Sequence, residues 1–326
     1  MKTFLLMTCA AFVAAAPATA KPRDPVKVSS PRNAAGLQSL VIASFNVAFV
    51  TEKTDAAFAG SKRQFKAMGS VVKSKLVGVD DAEFQAVTDA AYADFVTKLK
   101  AVGFTVVDRA AFVADKNMAK VRYVASGMQG TVQFGKDAKA KARFYAPTAF
   151  GLTGLFDGEL SSGQPQGLGG MMAAFSAMGP QQAKMMYVYM NKQPIVNVTY
   201  VVDYADADRY GGTFAYQASV KTRASLAVVE TLSKVDTFNA KAGMTSLVLA
   251  EPVGVGGDFG TLADTTSTGT KVENAIGSLI GGLGGTGSNS YSSLTFTADR
   301  ARYAAGATEA TTTANARLIE RLATLR

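Results

Sequence analysis

Histidine and tryptophan are absent from this 326-residue sequence, and its one cysteine is Cys9. Without imidazole there is no Ser-His-Asp or Cys-His catalysis and no histidine-ligated zinc, so the commonest general base and transition-metal ligand are gone together. A lone cysteine cannot close a disulfide within the chain, and stability must come from a packed core. Paired carboxylates of the glycosidase kind, or a Ser-Lys dyad, remain chemically possible, but no spacing in the sequence selects a pair. The expectation is a protein that is not an enzyme and carries no cofactor and no metal.

Acidic side chains are in deficit, 25 against 34 basic ones, for a net charge of +9. The apolar run Phe4 to Ala16 is 13 residues long, short of the ~20 that a membrane-spanning helix requires. With Lys2 ahead of it and Ala18-Thr19-Ala20 behind it, the run predicts an export signal cleaved after Ala20. Cys9 lies inside that signal and follows Thr8, so it lacks the context for lipidation. A mature chain starting at Lys21 keeps 33 basic and 25 acidic side chains. The 48% apolar content of the sequence is that of a globular protein. An exported protein without mature cysteines suits a bacterial periplasmic or outer-membrane setting.

Residues 21–38 carry Pro22, Pro25 and Pro31 among alternating charges and read as a flexible tether. A main mixed-sheet domain is expected over 39–250, a Gly/Ser/Thr-rich extension over 251–293, and a C-terminal strand and helix over 294–326 that dock on the main domain. The best-defined stretch is Asp80 to Arg109. Phe84, Val87, Ala91, Phe95, Leu99 and Val102 recur at helical spacing. Asp80 and Glu83 form a capping box, and Gly103 marks the stop. Phe104 to Asp108 then has strand composition. A first strand is predicted over Ser39 to Thr51 with Val41, Phe45, Val47 and Phe49 on one face, followed by a basic connector, Glu52 to Val79, with a helical patch at Phe65, Met68, Val71 and Val72. This βαβ-like unit, continuing into a mostly antiparallel sheet with helices packed on it, is an α+β or mixed α/β fold.

Val121 to Phe134 offers a further strand. Lys136, Lys139, Lys141 and Arg143 make a basic run before Phe144 and Tyr145. It reads as a solvated edge or as a contact for an anion such as lipid, lipopolysaccharide or cell-wall polymer, and no nucleic-acid partner is expected outside the cytoplasm. Gly151 to Gly170 reads as a long loop. Six of the 12 methionines lie between Met171 and Met190. The run containing Met171, Met172 and Met178 is either a partner- or membrane-contacting helix or a short core helix ended by Gly179-Pro180, the second being the plainer use of methionine.

Alternation is clearest from Val196 to Tyr204 and from Phe214 to Val228, an antiparallel hairpin with one buried face. Its turn, Asp203 to Gly212, places Asp206 and Asp208 two apart like a fragment of a calcium loop, with Tyr210 at a ligand position and Gln217 where the closing glutamate belongs. Asx turns account for these carboxylates more economically. Farther on, Val272, Ala275, Ile276, Leu279, Ile280 and Leu283 have helical spacing, with Gly277, Gly281 and Gly285 repeating every four residues. Too short to span a bilayer, the patch can contact a partner or membrane or pack on the sheet. A final helix from about Arg302 places Tyr303, Ala307, Ala310, Ala314, Leu318, Leu322 and Leu325 on one face.

The succession of first strand, amphipathic helix and Gly103-Phe-Thr-Val-Val-Asp-Arg109, together with the valine- and alanine-rich hairpin from Val196 to Val229, resembles the periplasmic domain of the curli secretion channel (CsgG-like) family. That resemblance implies a mixed α/β sheet domain that oligomerises and is attached to or spans the outer membrane. The functional expectation is a non-enzymatic component of envelope assembly or secretion, including curli assembly, whose partners are other envelope proteins, copies of itself or the outer-membrane surface. The alternative is a monomeric periplasmic binding module for an anionic ligand or cell-wall polymer.

Overall fold

The computed structural model describes residues 24–59, 68–120, 123–134, 138–154, 182–212, 215, 218–241, 243–274 and 289–326. In chain order the strands and helices are β1 (Val26–Ser29), β2 (Ser39–Ala59), β3 (Met68–Val77), α1 (Asp81–Ala101), β4 (Thr105–Val107), α2 (Ala110–Val113), β5 (Tyr123–Ala125), β6 (Met128–Gln133), β7 (Ala138–Tyr145) and β8 (Leu152–Gly154). They continue with α3 (182–191), β9 (Ile195–Tyr210), β10 (Ser219–Val228), β11 (Lys234–Asn239), β12 (Gly243–Leu249), β13 (Val253–Gly254), β14 (Gly260–Asp264), α4 (268–274), β15 (Ser290–Ala298) and α5 (Arg300–Ala323). Thirteen strands form one mixed sheet in the order β1-β12-β11-β9-β2-β3-β15-β14, with β4, β6, β7, β10 and β13 attached beside that path. The fold is α+β, as the sequence predicts.

β2, 21 residues long, is the axis of the sheet. Its first half runs parallel to β4 and β9, and its second half runs antiparallel to β3 and β7. Leu40 to Val50 is buried throughout, because helices cover both faces here and a near-continuous apolar run suits them. α1 and α5 pack over Leu40, Ile42, Phe45, Val47 and Phe49. On the other face, Val41 and Ala43 meet Phe112 of α2 and Tyr187 and Val188 of α3. Val41 therefore does not share a face with Phe45, as simple alternation predicts. A bulge between Ile42 and Ser44 inserts an extra residue and inverts the parity.

α1 matches its sequence signals closely. Ala82 donates its N–H to Asp80 at 3.1 Å, Glu83 accepts the Asp80 N–H at 3.1 Å, and Gly103 ends the helix with a φ of +88°. Phe84, Val87, Ala91, Phe95 and Leu99 form the buried face. α5 buries Tyr303, Ala307, Ala310, Ala314, Leu318 and Leu322, and the three alanines among them are small enough to let it lie close against its neighbours. Asn315 ties three elements together: its Oδ1 accepts the Tyr200 hydroxyl at 2.6 Å, and its Nδ2 donates to the Ala91 carbonyl and to Asp94 Oδ2, both at 2.8 Å. Phe45 packs edge-on against Tyr92, Phe95 and Tyr200 at centroid distances from 5.5 to 5.9 Å.

Several expectations change. The described part of the tether is docked: β1 pairs with β12, and Val26, Ala34 and Leu37 are buried. The described parts of Glu52 to Val79 are strand and not helix, because β2 continues to Ala59 and β3 returns along it from Met68, while Phe65 lies outside the described residues. Its alternating burial, with Lys53, Asp55, Ala57 and Ala59 inside, has period two, and the charges within it mask that period from a hydropathy reading. The segment Asp203 to Tyr210 is the second half of β9 and not a turn. The extension 251–293 contributes β13, β14, α4 and the start of β15 to the fold.

Burial pushes the Tyr200, Tyr204 and Tyr303 hydroxyls well above the usual tyrosine pKa. An unfolded chain loses these protons near pH 10 while the native chain keeps them. Stability from these groups is therefore complete below pH 10 and is lost above it, at about 1.4 kcal/mol per pH unit for each group. The Tyr303 hydroxyl is also buried with no hydrogen-bond partner among the described residues, a situation that costs about 1–3 kcal/mol. Urea midpoints should show Tyr303→Phe to be as stable as the parent or more so at pH 8, and should show a shallower loss for it between pH 10 and 11.5.

Candidate functional site: a charged opening between two strands

β2 and β9 pair in parallel from Val41 opposite Ile195 to Phe49 opposite Val202 and then part. β2 turns toward β3 and β7, helped by a second bulge between Val50 and Glu52, while β9 turns toward β10. The two strands meet again at an isolated bridge between Ala59 and Gly212, where Gly212 donates its N–H to the Phe58 carbonyl at 2.7 Å. The neighbouring glycine is required by close approach: a Cβ on Gly211 would lie 2.5 Å from the Phe58 carbonyl oxygen.

Charge fills the opening. Lys53 Nζ donates to Asp203 Oδ2 at 2.6 Å and to the Ala205 carbonyl at 2.9 Å. Asp203 Oδ1 accepts the N–H groups of Tyr204 and Ala205, at 2.8 and 3.3 Å. Beyond Val202, the last residue of β9 that pairs with β2, the Lys53 and Asp203 side chains thus satisfy backbone groups of β9. Asp55 is wholly buried and accepts Arg209 Nη2 on Oδ1, while its Oδ2 has no hydrogen-bond partner among the described residues. The Phe134 ring lies under the Lys53 ammonium, 4.9 Å from its centroid.

Burial alone would lower the Lys53 pKa, but the carboxylates of Asp203 and Asp55 outweigh it and raise the value above the ordinary lysine range. Burial also pushes the Asp203 carboxyl up, against the pull of Lys53. At neutral pH Lys53 holds its proton, so it is neither a nucleophile nor a general base. The opening communicates with a cavity of about 690 Å³ lined by Lys53, Phe134, Ala207, Arg209, Glu230 and Leu232 among others. Thr231, on its rim, has a φ of +63°, an outlying conformation for a β-branched residue of the kind that collects at ligand sites.

A second polar group is buried under α3. Ser44 Oγ and Lys184 Nζ both donate to Asn197 Oδ1, at 2.8 and 3.1 Å.

The sequence-derived candidates divide. Lys139, Lys141 and Arg143 share a face of β7, where Lys141 pairs with Glu52 at 2.7 Å and Arg143 forks onto Asp81, with Nη2 to Oδ2 at 2.7 Å. Two of these three cations are thus committed to structural partners. Asp206 and Asp208 lie on β9 with Arg223 against both, at 2.5 and 4.0 Å, and among the described residues no cluster of metal-ligating side chains occurs. Lys136, Met171, Met172, Met178, Ile276, Leu279 and Ile280 lie outside the described residues. Three other methionines of the same cluster, Met185, Met186 and Met190, together with Tyr189, stand exposed on α3, while Ala183, Lys184, Tyr187 and Val188 face the sheet.

The opening itself is not among those candidates. Its available signal was charge at alternate positions within strand-like sequence, Lys53 with Asp55 and Asp203 after Val201-Val202, which hydropathy scanning treats as interruption.

Removing one member of a buried pair leaves an uncompensated charge. Lys53→Met should therefore cost about 3–5 kcal/mol, and Lys53→Met with Asp203→Asn, which keeps an oxygen for the two backbone N–H groups, should recover more than half of it; urea denaturation of the three proteins checks this.

No protein-family model, curated protein or solved structure matches the chain.

Proposed function

We propose that this chain is a non-catalytic, exported component of a bacterial envelope assembly or secretion system, acting at the periplasm or outer membrane through contacts with other envelope proteins or with copies of itself. The observation that carries this reading is the outer face of α3. Met185, Met186, Tyr189 and Met190 are each about half exposed or more within two turns of helix, and Val113 of the adjoining α2 is exposed as well. A contiguous apolar patch on a water-facing surface marks a contact site, and methionine adapts to irregular partners. The export signal and the likeness of Gly103 to Arg109 to the curli secretion channel family support the compartment and the role. Among the described residues no helix is long and apolar enough to cross a membrane.

A second reading, a monomeric periplasmic binding module for an anionic ligand, is favoured by the cavity beside Arg209.

Light scattering of the purified mature protein, with cell fractionation, separates the two. Assembly predicts particles larger than one chain or recovery with the envelope, and Met185→Ser with Met190→Ser should release soluble monomer at an unchanged melting temperature. A wild-type monomer found only in the soluble periplasm defeats the assembly reading.

A further inference from the structure

We propose that the cavity beside the β2–β9 opening binds a small amphiphilic anion, with a carboxylate or phosphate head on Arg209 and an apolar body against Phe134, Val229, Leu232 and Pro252. The proposal rests on the second reading above and not on assembly. Arg209 is the central observation. Its guanidinium has five N–H groups, of which Nη2 is held by Asp55, while Nε and Nη1 have no partner among the described residues. Asp55 is fully buried and the Arg209 side chain is 33% exposed, so the fork is anchored from behind and its free edge is accessible. A planar guanidinium held in one orientation matches a carboxylate or phosphate at two points.

The neighbouring carboxylates do not compete equally for that edge. Asp203 is occupied by Lys53 and two backbone N–H groups, and Asp206 by Arg223. Glu230 is the lining carboxylate with no ion pair among the described residues. It sits beside the strained Thr231 and opposes an anionic head, so it should weaken binding. A volume of about 690 Å³ is ample for a ligand of this class, since small-molecule pockets run to roughly 300–1,000 Å³. Val229, Leu232, Pro252 and Phe134 offer its chain an apolar wall.

Titration calorimetry of the full mature protein with octanoate, octyl phosphate and the neutral comparator octanol tests this. Both anions should bind with one-to-one stoichiometry and at least tenfold tighter than octanol. Arg209→Gln should lose about 10–100-fold in anion affinity and with it the preference over octanol, and Glu230→Gln should bind the anions more tightly than the parent. If Arg209→Gln does not fold because Asp55 is left charged, Arg209→Gln with Asp55→Asn removes the same fork without a buried charge. Met185→Ser with Met190→Ser should leave these affinities unchanged, which separates this site from the α3 surface. Equal binding of octanol, unchanged anion affinity in the folded Arg209 variant, or no binding of either anion at millimolar concentration overturns the proposal.

Discussion

The Lys53–Asp203 pair allows one sheet to have two directions. Where β2 and β9 separate, β2 takes β3 as its new partner while β9 is left without one on that edge, and an orphaned buried backbone group costs about as much as a lost hydrogen bond. Lys53 and Asp203 replace that neighbour. The ammonium takes the Ala205 carbonyl, and the carboxylate takes two N–H groups. The strands can then rejoin at Ala59 and Gly212, leaving an opening closed by charge instead of by ladder bonds. A buried ion pair is seldom a net source of stability; here it makes the topology possible.

The rest of the architecture follows from that parting. Because β9 swings away with β10, Tyr204 stacks on Phe296 of β15 at 5.6 Å and its hydroxyl donates to Ser74 of β3 at 3.0 Å, so the two limbs of the sheet close over a shared core. The undivided half of β2 and β9 remains a central slab with helices on both faces. α1 and α5 are locked to it through Asn315 and Tyr200, and α3 lies opposite with its methionines outward. The features proposed for binding thus occupy different places: the cavity opens where the sheet divides, and the adaptable apolar surface rides on a helix over the undivided part.

The fold was far more legible in the sequence than the site. α1 and α5 carry their buried faces at helical spacing, and the Asp80–Glu83 box and Gly103 mark α1's ends by local chemistry that needs no distant partner. β9 shows its alternation because apolar residues dominate it. The continuation of β2 past Glu52 is hidden, because its inward positions include Lys53 and Asp55, and burying charge makes sense only once the opposing charges are in place. Asp206 and Asp208 misled in the opposite sense: beside glycines they resembled a loop, whereas pairing with β10 sets them against Arg223 on a strand.

By itself the sequence determined what chemistry is excluded and which segments are amphipathic. No fold can supply an imidazole that the chain lacks, and helical periodicity and caps act within a few residues. Only the tertiary structure decided where β2 divides, which face Val41 takes after the bulge, and that Lys53 meets Asp203 from 150 residues away. These depend on strand register and on charges compensated across the chain, and a one-dimensional pattern does not encode the partner that makes a buried charge tolerable.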